Sequence, residues 1–115
     1  MHELSIALNI IELAEEELAR HGELRVTAVH LRLGSLAGVV KEALLCSYEV
    51  AREGTPLAGS ELVIEEVPGM IYCPTCNARR PVLSSEWFSC PECGGLASEI
   101  LSGKELELVS LEVTQ

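Results

Sequence analysis

The sequence contains no aspartate: all 18 of its acidic residues are glutamates. This absence excludes EF-hand calcium loops and Ser-His-Asp catalytic triads, because both depend on aspartate. Basic residues are also scarce, and eight of them against 18 acids give a formal net charge of −10. A chain with that charge is repelled by phosphate backbones, so we expect no nucleic-acid partner.

Aromatic residues and long apolar runs are scarce as well. Aromatic residues make up 3% of the 115 residues and hydrophobic residues 48%, so any core must be aliphatic. No segment approaches the roughly 20 apolar residues of a membrane-spanning helix. Glu3 also lies where a secretory signal peptide would carry basic residues. We therefore expect a cytoplasmic protein with no membrane partner.

Four of the five cysteines form two Cys-x-x-Cys pairs. Cys73 and Cys76 are the first pair, Cys90 and Cys93 are the second, and residues 77–89 separate them. Two such pairs can place four sulfurs around one tetrahedral zinc ion. Two disulfides or a redox Cys-x-x-Cys are the alternatives, but disulfides suit secreted proteins and a redox pair usually begins a helix. Four thiolates leave no open position on the metal, so the predicted zinc site is structural.

Hydrophobic periodicity predicts two helices. Apolar residues recur at three- and four-residue spacing over residues 4–18, and Gly22 is a suitable C-terminal stop. A second helix is predicted over residues 39–53. Cys46 falls inside this helix, away from the paired cysteines, and we expect it to be a small core residue.

Three longer strands are predicted from alternating and β-branched segments, at residues 25–33, 61–67 and 104–113. Short strands are expected at residues 70–72 and 87–89, leading into the cysteine pairs. The last strand needs a sheet to join, so it should return to the first two. The expected fold class is α+β, with two helices packed on a three-stranded sheet and an inserted four-cysteine module of the zinc-ribbon kind.

This organisation predicts two domains. Residues 1–69 together with 104–115 should form an α/β domain, and residues 70–103 a zinc-binding domain. The second is too small for a core of its own, so we expect the metal to supply much of its folding energy.

The beginning of the chain offers ligands of another kind. The amine of Met1, the amides of His2 and Glu3 and the His2 imidazole are four nitrogens within short reach. Four nitrogens in a plane suit Ni(II) or Cu(II). The first N–H groups of a helix have no carbonyl partner, so loss of an amide proton there breaks no helical bond. The alternative is that His2 is an ordinary frayed residue, since one histidine is a weak motif.

The chain resembles the HypA/HybF family of nickel-insertion proteins. The resemblance is carried by the opening MHELS, the stretch VHLRLGS at residues 29–35, the two cysteine pairs and the closing LVSLE at residues 108–112. It implies a metallochaperone, not an enzyme, with structural Zn(II) on the paired cysteines. It also implies Ni(II) as cargo on His2 and the adjoining main chain, with the Met1 amine and Glu3 as further contributors.

The resemblance also implies partners. Members of the family deliver nickel to the large subunit of NiFe-hydrogenase together with the GTPase HypB, and some serve urease maturation. We expect the same partners here, and a monomer or weak homodimer. Some members place a carboxylate near the nickel at the start of the second helix, where this chain has Val39-Val40-Lys41 and then Glu42.

Another class of function stays open from the residues alone. A zinc-ribbon interaction module or adaptor, which recruits proteins and carries no nickel, would need the same four cysteines. An enzyme has less support, since the sequence has no nucleophile–base pair and no phosphate-binding loop. Metal stoichiometry after nickel loading distinguishes the chaperone from the module.

Overall fold

The computed structural model describes residues 2–22, 24–82 and 88–114. Within these residues the chain forms two helices, α1 (Glu3–Ala19) and α2 (Lys41–Ala51). It also forms six strands, which are β1 (Arg25–Gly34), β2 (Glu61–Val67), β3 (Met70–Cys73), β4 (Ala78–Pro81), β5 (Glu99–Ser102) and β6 (Leu106–Thr114). No helix among the described residues is long and apolar enough to cross a membrane.

The strands form two sheets of three. The first has the order β2-β1-β6, so the last strand does return to the strands that open the fold. The second has the order β4-β3-β5 and is antiparallel. The predicted α+β class, with two helices and a three-stranded sheet, is confirmed. Of the second sheet the sequence predicts only β3, because β4 (ARRP) and β5 (EILS) show no alternation of apolar and polar residue types.

The structure describes only two residues, 88 and 89, of the strand expected at residues 87–89. Residue 87 lies outside the described residues, and Phe88 belongs to no strand. Ser89 forms a single antiparallel bridge with Leu96. This bridge takes the place of the short strand that the sequence analysis expects there.

The contacts divide the chain into two compact units. One comprises Met1–Leu31, Val39–Ile64 and Leu108–Gln115, and the other comprises Arg32–Gly38 and Glu65–Glu107. This division falls within β1, β2 and β6, whereas the predicted domain boundaries fall after residues 69 and 103. Those boundaries concern independent folding, and they stay a prediction.

The core of the first unit is aliphatic, as the composition predicts. Its buried residues come from both helices and from β1, β2 and a loop: Ala7, Ile10, Ile11, Ala14, Leu18, Val26, Val29, Leu31, Leu44, Tyr48, Leu57 and Leu62. The Tyr48 hydroxyl is hydrogen-bonded to the buried Ser60 Oγ at 2.6 Å, and either hydroxyl can be the donor. This pairing satisfies both of these buried hydroxyls.

Two predictions about α2 are wrong. The helix spans Lys41–Ala51 and not residues 39–53, because Val40 is an extended N-cap residue with a β-branched side chain that disfavours the helix, and Arg52 is the C-cap. Cys46 is exposed and does not belong to the core. The buried residues of α2 are Leu44 and Tyr48, each two positions from Cys46, and two positions turn a helix by about 200°. Cys46 therefore lies on the opposite face.

The second unit has a smaller core and a close approach of three chain segments. Its buried apolar residues are Leu36, Ile71 and Val82, with Phe88, Ala97 and Ile100 packed against them. A Cβ on Gly34 would lie 2.0 Å from the Gly103 carbonyl oxygen, and one on Gly103, whose φ is +112°, would lie 2.6 Å from Gly69 Cα. Glycine is therefore required where these segments cross.

We predict that Leu44→Ala destabilises the protein by about 2–5 kcal/mol, since it leaves a cavity in a packed core. Leu44 is 0% exposed, whereas Val50 on the same helix is 69% exposed. The control Val50→Ala should change stability by less than about 0.5 kcal/mol. Urea titration measures both free energies of unfolding, and equal losses in the two variants would contradict the assignment of Leu44 to the core.

Candidate metal centres

The four paired cysteines converge in the second unit. Cys73 ends β3, Cys76 lies in the turn before β4, and Cys90 and Cys93 flank a turn before β5. Their sulfur atoms all lie within 4.8 Å of one another. The structure thus brings together the four residues that the spacing singles out, and together they form the candidate sulfur centre.

The distances in the sulfur centre fit a metal ion and exclude disulfides. The Sγ atoms of Cys73 and Cys93 are 3.5 Å apart, and those of Cys76 and Cys90 are 3.8 Å apart. A disulfide bond is about 2.05 Å long. Sulfurs placed about 2.3 Å from a tetrahedral ion lie about 3.8 Å from each other. The donor set and its geometry therefore suit a four-thiolate centre.

The local backbone orients these sulfurs. The Cys76 N–H donates to Cys73 Sγ at 3.4 Å, and the Gly95 N–H donates to Cys93 Sγ at 3.3 Å. A residue with positive φ follows each pair, Asn77 at 53° and Gly94 at 76°. Asparagine and glycine adopt this conformation at low cost, so each pair closes into a turn that aims both sulfurs inward.

The crowded thiols ionise unequally without a cation. Burial opposes ionisation of Cys90, but the N–H groups of Cys93 and Glu92 and the neighbouring thiols outweigh it and lower the pKa of Cys90 to about 6. The Gly95 N–H favours the Cys93 thiolate, yet the adjacent thiols raise the pKa of Cys93 to about 12. Neighbouring thiolates repel, so one ionises readily at the expense of another. A bound cation lets all four ionise together.

The second candidate centre lies at the beginning of α1. His2 is the N-cap residue of this helix, with φ −83° and ψ 95°, and its side chain is exposed. Its carbonyl accepts the first helical hydrogen bond, from the Ile6 N–H at 3.2 Å. Met1 lies outside the described residues, so the structure does not describe its amine. His2 is thus placed on a helix start with an accessible imidazole.

Glu3 is engaged by the second helix. Its Oε2 accepts a hydrogen bond from the Val40 N–H at 3.1 Å, and this bond is the largest cause of the lowered pKa of Glu3. Val40 is the N-cap residue of α2, and its own side chain makes no capping bond. Glu3 therefore supplies from α1 the acceptor that a capping box supplies from within one helix.

No sequence pattern predicts the contact between Glu3 and Val40, which are 37 positions apart. The sequence does indicate that α2 lacks a local cap, because the side chains of Val39 and Val40 have no oxygen that could accept a hydrogen bond from the first helical N–H groups. An uncapped helix start needs an acceptor from elsewhere. Which residue supplies it depends on tertiary structure.

Comparison with known proteins identifies the family. The profile of the family described as "Hydrogenase/urease nickel incorporation, metallochaperone, hypA" matches residues 1–113. Hydrogenase maturation factor HypA of Chloroflexus aurantiacus is 54% identical over 112 residues, covering 97% of this chain and 98% of that protein. The factor of the same name from Streptomyces avermitilis is 44% identical, covering 96% and 86%.

A solved structure has the same fold. The solution structure of the Ni metallochaperone HypA from Helicobacter pylori matches with a TM-score of 0.66 at 24% identity, covering 97% of each chain. The family is described as a metallochaperone family, so the expectation that the chain is not an enzyme is confirmed. The profile match over residues 1–113 and the identity of 54% show that this chain belongs to the HypA family.

Proposed function

We propose that this protein binds Ni(II) at the beginning of its chain and delivers it during the maturation of NiFe-hydrogenase, while Zn(II) on the four paired cysteines holds the second unit folded. The observation that carries the proposal is membership of a nickel-incorporation family over nearly the whole chain. The convergence of Cys73, Cys76, Cys90 and Cys93 supports its zinc part.

Zinc suits the sulfur centre for two reasons. Four thiolates in a tetrahedron complete its coordination and leave no position for a substrate, as in structural zinc sites. Cys73 and Cys90 are 0% and 2% exposed and adjoin a core with few buried residues. A unit with so little apolar surface to bury gains folding free energy from metal binding.

Nickel suits the beginning of α1. The His2 imidazole is exposed, and the amides of His2 and Glu3 belong to a first turn whose N–H groups lack helical acceptors. Together with the Met1 amine they supply four nitrogens, the set that square-planar Ni(II) favours. Ionised amides also offset the cation's charge at the positive end of the helix dipole. Because the site is exposed, a client can replace these ligands one at a time.

The names of the similar proteins favour hydrogenase as the client that receives nickel. The family description names hydrogenase and urease, and the similar curated proteins are named as hydrogenase maturation factors. The partners in this proposal are a HypB-type GTPase and the hydrogenase large subunit, with urease maturation proteins as a second client system. This hand-over takes place in the cytoplasm, where thiols stay reduced and available to metal.

Cys73→Ala should remove the zinc and unfold the second unit. Metal analysis should find one zinc per wild-type chain and almost none in the variant. Amide NMR signals from residues 70–82 and 88–103 should lose their dispersion, because the metal supplies much of this unit's folding free energy. Cys46→Ala, at an exposed cysteine outside the centre, is the matched control and should keep its zinc. Zinc retained by Cys73→Ala would refute the four-thiolate assignment.

His2→Ala should abolish stoichiometric nickel binding without changing the zinc content, because it removes the imidazole ligand. Isothermal titration of untagged protein measures this, and His21→Ala, an exposed histidine beyond the other end of α1, is the control. Acetylation of the Met1 amine should have the same effect as His2→Ala. Unchanged nickel affinity in both would refute the site, and a wild type that binds zinc but no nickel would instead indicate an interaction module.

Glu3→Ala should weaken nickel binding several-fold, whereas Glu3→Gln should retain most of it. Alanine removes the acceptor of the Val40 N–H, but glutamine keeps an oxygen in reach and so keeps the two helix starts together. The Val40 amide chemical shift and exchange rate report whether the bond persists. Equal loss of nickel affinity in both variants would show that the carboxylate charge acts on nickel directly, which contradicts a positioning role.

A further inference from the structure

Four thiolates of the sulfur centre would carry more negative charge than one zinc ion neutralises. Four thiolates around one Zn²⁺ leave a net charge of −2. The N–H groups of Cys76 and Gly95 offset part of it by donating to Cys73 and Cys93. Two of the four cysteines are buried, where water screens charge poorly. Buried charge of this kind is normally paired with an opposite charge.

Arg80 lies on the face of the sheet that carries the sulfur centre. β4 pairs with β3 so that Arg80 is opposite Ile71 and Ala78 is opposite Cys73. Residues opposite each other share a face, and every second residue returns to it. Arg80 therefore shares its face with Cys73, while the adjacent Arg79 is exposed and lies on the other face.

The guanidinium of Arg80 contacts both cysteine pairs. It donates hydrogen bonds to Cys76 of the first pair and Cys90 of the second, and these contacts raise the pKa of Arg80. The residue is half-buried, and its Nε is shielded from solvent without a hydrogen-bond partner. Among the described residues no carboxylate forms an ion pair with Arg80. Within the part of the chain that the structure describes, the groups positioned to balance its charge are therefore the cysteine sulfurs.

Arginine has the right shape for this contact. Its planar guanidinium presents five donors in a fixed fork and stays protonated, so it can bridge two acceptors. The acceptors here are the Cys76 and Cys90 sulfurs, 3.8 Å apart. A lysine at the same position would bring a point charge without the fork.

We propose that Arg80 is a positioning residue of the sulfur centre: its guanidinium bridges Cys76 and Cys90, offsets the charge of the four thiolates and strengthens metal binding. This inference rests on the four-thiolate centre of the proposed function and does not depend on nickel. It adds a link between the two cysteine pairs that is independent of the metal itself.

Zinc affinity of the full chain, measured by competition with a chromogenic chelator, tests the inference. Arg80→Gln should lower the affinity about 10- to 100-fold, the usual range for loss of a residue that supports metal ligands. Arg79→Gln removes the same charge one residue away, on the opposite face, and should stay within about twofold of wild type. Arg80→Lys keeps the charge but not the fork, so it should show a smaller loss.

Cobalt substitution shows whether the centre itself is intact. At saturating Co(II), wild type and all three variants should show the thiolate-to-metal absorption of a four-thiolate tetrahedral site. Equal zinc affinity in Arg80→Gln and Arg79→Gln would overturn the inference. Arg80→Lys provides a second test if Arg80→Gln does not fold. Wild-type zinc affinity in Arg80→Lys would overturn the proposal that the guanidinium bridges Cys76 and Cys90.

The same measurements separate this inference from the proposed function. A wild type without the four-thiolate absorption would overturn the sulfur centre and the role of Arg80 together. Intact absorption with unchanged zinc affinity in the Arg80 variants would overturn the role of Arg80 alone. A separate nickel titration of the wild type tests the chaperone proposal, and its result does not depend on the sulfur centre or on the role of Arg80.

Discussion

The convergence of four cysteine sulfurs within 4.8 Å is the constraint on which the second unit depends. Among the described residues, the core cluster of this unit has three buried apolar residues, Leu36, Ile71 and Val82, too few to offset the entropy of ordering its chain. Thiolates this close repel each other unless a cation lies between them. With the proposed zinc ion on the four cysteines, we expect metal binding and folding of this unit to be one equilibrium.

The first unit rests on a different interaction, the burial of aliphatic side chains. Its core holds α1 against α2, which leaves the start of α1 exposed while Glu3 ties it to the start of α2. The proposed nickel site would benefit from both properties. Exposure would let a client replace ligands stepwise, and a tied backbone would keep His2 within a narrow range of positions, so that less entropy would be lost on nickel binding.

Some elements could be predicted from the sequence because their signals are local. The strand Glu61–Val67 was predicted with its observed bounds, since Pro68-Gly69 marks its end. Other elements gave no such signal. β4 and β5 are short and form because β3 lies between them, and the exposure of Cys46 follows from which face of α2 meets the core. Apolar character alone does not tell one helix face from another when both carry apolar residues.

By itself the sequence determined the four cysteines of the candidate sulfur centre, because a Cys-x-x-Cys turn is a local structure and two such turns suffice for one tetrahedral ion. It also determined the aliphatic core and placed at its beginning the nitrogen donors of the proposed nickel site. Only the tertiary structure decided that the Glu3 carboxylate would meet the Val40 amide and that Arg80 would reach Cys76 and Cys90. Those contacts join residues from different elements, and a side chain's partner across such a gap is set by how the elements pack and in which register the strands pair.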